Sequence, residues 1–170
     1  MAASPRSLRV RYGFCTTCQD LPITVYISLP EAEDAQVKQN SVKAAFIAWQ
    51  EAVPDLLSFE FAASPQADQL LVTWQSLEAG KIGSYQYSYS VLPEGQYRFR
   101  ATDIFLNPAH DPETLYRYAL VQVGHALGLL GRSPYEGDAL SWQASGVISK
   151  RDIATLRALY AIPSGTVLVD

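Results

Sequence analysis

Three positions within DPETLYRYALVQVGHALGLLG, residues 111–131, stand at a spacing that metal chemistry uses: Val121, Gln122 and His125 at i, i+1 and i+4, with Gly128 three residues further on. In an H-E-x-x-H helix, two histidines one turn apart grip a single Zn²⁺ while the glutamate between them takes a proton from the metal-bound water. Only the second histidine is present here. Val121 has no donor atom, and Gln122 keeps the shape of glutamate without accepting a proton at neutral pH. A third ligand six residues beyond His125 would fall on Gly131, or on Arg132 after a one-residue insertion, and neither ligates zinc. One imidazole alone does not hold zinc firmly, because structural and catalytic sites use three or four protein ligands.

The plain reading of His125 is a hydrogen-bonded core residue paired with Gln122 one turn earlier. Its alternative is a residual metal contact completed by His110, Glu136 or Asp138. Alone, His110 reads as a surface loop residue. Cys15 and Cys18 form a C-x-x-C pair, yet neither the strand-to-helix setting of a redox motif nor the second pair of a zinc ribbon accompanies it. A structural or incidental role is the first reading, with a local disulfide and redox or metal work behind it. No nucleophile-elbow sequence appears, and neither cysteine has an evident histidine partner, so a serine or cysteine hydrolase is not supported.

The elements that must position these residues follow from local signals. Asp111 caps a long helix, Pro112 suits its first position and Glu113 favours its positive end; from Leu115 onward it is apolar on nearly every face, as an enclosed helix is. Before it, residues 22–29 alternate as a strand, and residues 31–53 carry an apolar helical stripe of Val42, Ala45, Phe46, Trp49 and Val53 that Pro54 ends. Residues 57–61 and 70–74 read as short strands. Residues 80–107 read as a hairpin turning at Pro93, Glu94 and Gly95, with Tyr85, Tyr87 and Tyr89 alternating along its first arm. The segment 132–147 is turn-rich, and Ser149 with Asp152 opens a last helix as a variant capping box. Strands with helices between and after them imply an α+β or α/β layer structure.

Together these segments resemble the metzincin metalloproteases, and most closely the matrixin-like branch, whose signature is H-E-x-x-H-x-x-G-x-x-H followed by a methionine turn. GHALGL at 124–129 carries the core of the match. Around it, ITVYISLP resembles the family's first strand, VKAAFIAWQEAV its first helix and DQLLVTWQ a following strand; PYEGDAL resembles the approach to the methionine turn, and ISKRDIATLRALY the last helix. The likeness runs from about residue 22 to residue 162, and its departures fall on Val121, Gln122, Gly131 or Arg132, and Leu140 or Ser141 where methionine is expected. Met1 is the chain's only methionine.

The resemblance implies an α+β zincin fold, one twisted mixed sheet of about four to five strands packed with three main helices. It implies a single domain over 22–165 between an N-terminal extension, 1–21, and a tail, 166–170, and a substrate cleft whose edge strand receives an extended peptide by strand addition. On this chain that cleft involves Tyr85, Tyr87, Tyr89, Gln122, His125, Leu140 and Ser141. Zinc is the cofactor the family implies, but its ligands are mostly missing and none is expected here. The expectation is therefore a non-catalytic homologue that keeps a peptide- or protein-binding cleft; the alternative is an active metal-dependent peptidase with a rearranged site.

Bulk properties narrow the partners. At 170 residues, with 48% hydrophobic and 18% charged residues, the chain has the composition of an ordinary globular domain. A net charge of −4 argues against nucleic acid and anionic membranes as partners, since their binders carry a basic face. Arg6, Arg9 and Arg11 precede no apolar core of signal-peptide length, so no export signal is read, whereas relatives in the resembled family are largely exported. A monomer is expected.

Overall fold

Alternation along the strands fixes which face of the sheet is covered. Ile23, Val25 and Ile27 are buried in β2 (Ile23–Ile27), Leu70 and Val72 in β4 (Leu70–Trp74), and Thr102, Ile104 and Leu106 in β6 (Tyr97–Leu106), while the residues between them are only half-buried. The computed structural model describes residues 12–13, 21–66, 69–91 and 97–162. Cys15, Cys18, the hairpin turn at Pro93, Glu94 and Gly95, and the tail 166–170 lie outside the described residues.

The main path of the sheet is β3-β2-β4-β6-β5, with β3 at Phe59–Phe61 and β5 at Gly83–Val91. Every pairing on it is parallel except β5 with β6, so the sheet is mixed and ends on an antiparallel edge strand. A two-residue β1, Tyr12–Gly13, adds parallel to the start of β6, so part of the expected N-terminal extension belongs to the sheet. Among the described residues, three helices complete the α+β architecture: α1 (Ala35–Ala52), α2 (Pro112–Ala126) and α3 (Lys150–Ala161).

Helix boundaries follow local chemistry. Asp111 accepts from the Thr114 amide at 2.9 Å and its hydroxyl at 2.7 Å, with Pro112 at the first helical position. Ser149 and Asp152 form a reciprocal capping box on α3. α1 begins at Ala35 rather than near residue 31 and stops before Val53-Pro54, where proline disfavours helical backbone at the residue before it.

The long helix expected over 111–131 ends at Ala126. Gly128 takes φ +100°, its amide donates to His125 O and the Leu129 amide donates to Gly124 O. That pair of bonds is a Schellman closure, in which glycine supplies the left-handed residue. The apolar residues after it are a folded-back turn, not further helix. The core joins the sheet's buried face to α1 and α2, with Trp49 of α1 fully buried and donating its indole N–H to Leu120 O at 2.9 Å.

Candidate functional site

The face of α2 that carries Val121, Gln122 and His125 is covered, their exposures being 0%, 2% and 3%. Its cover is β5. The Tyr85 ring lies 4.5 Å from the His125 ring, centroid to centroid, and the Tyr87 hydroxyl donates to the His125 backbone oxygen at 2.6 Å. At Gly83 the strand comes so close that an added Cβ would stand 3.0 Å from Gln122 Cγ and 3.1 Å from Leu106 Cδ2. A side chain there would make Gln122 or Leu106 give way by a few tenths of an ångström, which glycine avoids.

His125 finds its partner in a different direction from the one expected. Its Nδ1 lies 2.6 Å from the Leu129 carbonyl oxygen, four residues on in the turn that follows the helix, and not against Gln122. A carbonyl only accepts, so Nδ1 carries the hydrogen and Nε2 of the neutral ring keeps the lone pair. Burial lowers the imidazole below its ordinary value; the Leu129 bond opposes this, and the positive charge of Arg132 lowers it further. Gln122 Oε1 is buried with no hydrogen-bond partner.

The later turn around 139–141 packs against the flank of α2 that carries Gly124. An added Cβ on Gly124 would stand 3.1 Å from Leu140 Cδ1 and from Trp49 Cζ2, so Leu140 sits against α2 one residue before His125. Two polar ties hold that turn: the Ala139 amide donates to Asp152 Oδ2 at 2.8 Å, and Arg132 Nη1 donates to Ser141 O at 3.0 Å. Asp152 therefore caps α3 and anchors the turn together, a second role its capping spacing does not disclose. Ser141 is buried and its hydroxyl has no partner.

Of the residues read as a cleft, the structure brings Tyr85, Tyr87, Gln122 and His125 together and places Leu140 against Gly124 of α2; the Tyr89 side chain lies outside the described residues. Gly131 is exposed, and a Cβ there meets nothing within 4 Å. His110 lies partly exposed in the turn before Asp111.

Asp138, one of the alternative metal ligands, is committed elsewhere. Arg151 donates to both its carboxylate oxygens at 3.1 and 2.9 Å, and Ser133 Oγ donates at 2.6 Å. Burial opposes its ionisation, yet the bonds from Arg151 and Ser133 outweigh that and hold the carboxyl at about 2. Glu136 is exposed and accepts from Gln143 at 3.4 Å. Among the described residues, no three His, Cys, Asp or Glu side chains are grouped to hold a metal ion, and no helix is long and apolar enough to cross a membrane.

Compared with models of known protein families and with curated proteins, the chain matches none.

Proposed function

We propose that this chain is a non-catalytic homologue of the matrixin-type zinc metalloproteases that takes an extended peptide along the outer edge of β5. One observation carries the first half: the helix positions that would hold and use zinc are Val121, Gln122 and His125, and their face lies under the Tyr85 and Tyr87 side chains. Hydrolysis by this class needs a metal to acidify water and a base to take its proton. Val121 has no donor atom, Gln122 accepts no proton, and neither Gly131 nor Arg132 replaces the missing histidine.

The second half is supported by β5. It is a nine-residue antiparallel strand at the end of the sheet, with no partner on its outer edge among the described residues. Such an edge offers a row of backbone donors and acceptors to an added strand, and pockets for alternate side chains supply selectivity. Its inner edge is paired to β6 and its side chains Tyr85 and Tyr87 pack on α2, so the strand is in place before a peptide arrives.

Elemental analysis after incubation with excess zinc and removal of unbound ion, on the protein and on His125→Ala, tests the first half. The expected result is no stoichiometric zinc and no chelator-sensitive peptide cleavage. One zinc per chain that is lost in His125→Ala would overturn it and restore the alternative of a rearranged peptidase site. For the second half, an extended peptide library screened by amide exchange is expected to slow exchange along 83–88. Protection confined to other strands would sink the edge-strand reading.

A further inference from the structure

A second feature lies beyond the end of α2. Between residues 128–135 and the α3 side chains Arg151, Thr155 and Leu159 is a groove of about 410 Å³, within the size range of small-ligand sites. Leu129 and Leu140 contribute buried apolar lining, and the exposed side chains of Leu130 and Tyr135 border it.

The charges on its wall are unequal in kind. Asp138 is closed by the Arg151 fork and Ser133, and Asp152 accepts from the Ala139 and Ser149 amides, so both acids are buried and satisfied. Arg151 is consumed by Asp138 and lies 4.1 Å over the Tyr135 ring. Arg132 differs. It is half-buried, gives one hydrogen bond to Ser141 O, lies 5.6 Å over the ring of Trp142, which is 76% exposed, and makes no ion pair among the described residues. A guanidinium has five N–H donors in a fork that matches a carboxylate, so most of its capacity remains available.

We infer that this groove binds the C-terminal residue of a peptide, its apolar side chain in the groove and its α-carboxylate on Arg132. Geometry favours a chain end over an internal acid. Successive side chains of an extended peptide point to opposite sides, so an internal acidic residue and its apolar neighbour do not enter one groove together. An α-carboxylate stands one carbon from the last side chain, so the two can meet Arg132 and the apolar lining of the same groove. The site is separate from the β5 edge and does not rest on the function proposed for it.

The test is isothermal titration of the intact chain with an N-acetylated tetrapeptide ending in leucine, as free acid and as C-terminal amide. Because both ligands meet the same folded protein, the comparison does not depend on a variant's folding. The acid is expected to bind about tenfold or more tightly than the amide, the scale of a hydrogen bond to a charged group. Arg132→Gln should abolish that preference, with Arg132→Lys keeping part of it. Equal affinity for acid and amide, no binding up to millimolar peptide, or equal affinity for an amidated peptide with an internal glutamate would each overturn the inference.

Discussion

The Tyr87 hydroxyl and the His125 backbone oxygen are joined at 2.6 Å, a bond that ties the sheet's edge strand to the last turn of α2. That carbonyl also accepts from the Gly128 amide, which closes the helix. The strand, the histidine and the helix terminus thus share one oxygen. Disturbing the phenol reaches all three.

Tyr87→Phe removes the bond while keeping the ring. The expected loss is about 1 kcal/mol of stability, the ordinary net value of one such bond, measured by denaturant unfolding. Amide exchange over 83–88 should quicken more than exchange in β2 or β4, because those strands do not touch this oxygen. Uniform quickening across the sheet would mean that Tyr87 is only a general contributor to stability.

Gln122 gives a change of opposite sign. Its Oε1 is buried without a partner, and an unpaired buried polar atom costs about 1–3 kcal/mol. Gln122→Met keeps the length of the side chain and removes that atom, so the melting temperature should rise. A fall would show that the amide nitrogen's interactions outweigh the orphaned oxygen. Gly83→Ala should be destabilising, lowering the melting temperature, since the new methyl meets the buried Gln122 and Leu106 side chains at 3.0 and 3.1 Å.

His125 should make stability depend on pH in a stated direction. Desolvation lowers its native pKa below the ordinary 6.5, so between the two values the unfolded chain binds more protons than the native one. Stability therefore rises with pH in that window. The contribution is complete above about 6.5 and is lost progressively as pH falls from there toward the native value. Unfolding free energies measured from neutral to mildly acid pH should show this slope, and His125→Gln should flatten it. An unchanged slope would place the effect elsewhere.

How much of this was legible depends on how local each signal is. The caps at Asp111 and Ser149 are read correctly because donor, acceptor and proline lie within four residues of one another. The end of α2 was not, because the apolar run of residues 127–130 continues helical patterning while Gly128 turns the backbone; periodicity does not register a left-handed residue. The same turn explains the histidine's partner: once the chain folds back, the Leu129 carbonyl reaches His125 before the Gln122 amide does. Contacts between distant segments, such as Leu140 on Gly124, Ala139 on Asp152 and Tyr85 on His125, leave no trace in spacing. The resemblance, not spacing, groups Tyr85, Tyr87, Gln122 and His125 with Tyr89, Leu140 and Ser141; the contacts among the first four come from the packing of β5 on α2.

Asp138 should matter to the acid limb of stability. Its carboxyl is held at about 2, below the ordinary 3.8, so the native state keeps it ionised where the unfolded chain takes a proton. That stability is present above about 3.8 and is lost as pH falls through about 2. Asp138→Asn leaves the Arg151 fork without its charge partner and should lower stability by about 2 kcal/mol at neutral pH, toward the low end for a broken ion pair because Arg151 stays in contact with water. In the variant, unfolding midpoints should be less sensitive to acid below about pH 4 than in the parent. Equal sensitivity would assign the acid limb to other carboxylates.

The resemblance of α2 to a zinc helix is itself testable by rebuilding what is missing. Val121 and His125 stand one turn apart on one helix, so Val121→His creates a pair of imidazoles at the spacing a single zinc requires. Gln122→Glu supplies the base. The third ligand falls at Gly131, where a new side chain meets nothing within 4 Å, or at Arg132, and the two triple variants distinguish these registers. Val121 is fully buried, so the larger imidazole should cost stability without metal and regain it with zinc, since a ligand that binds only the folded state raises its stability by mass action. A zinc-dependent rise in melting temperature in one triple variant, lost when His125 is changed to Ala in the same background, is the expected outcome. Variants that fold and bind no zinc would show that the helix carries the spacing of a metal site without its geometry, and the case for a lost catalytic centre would fall with it.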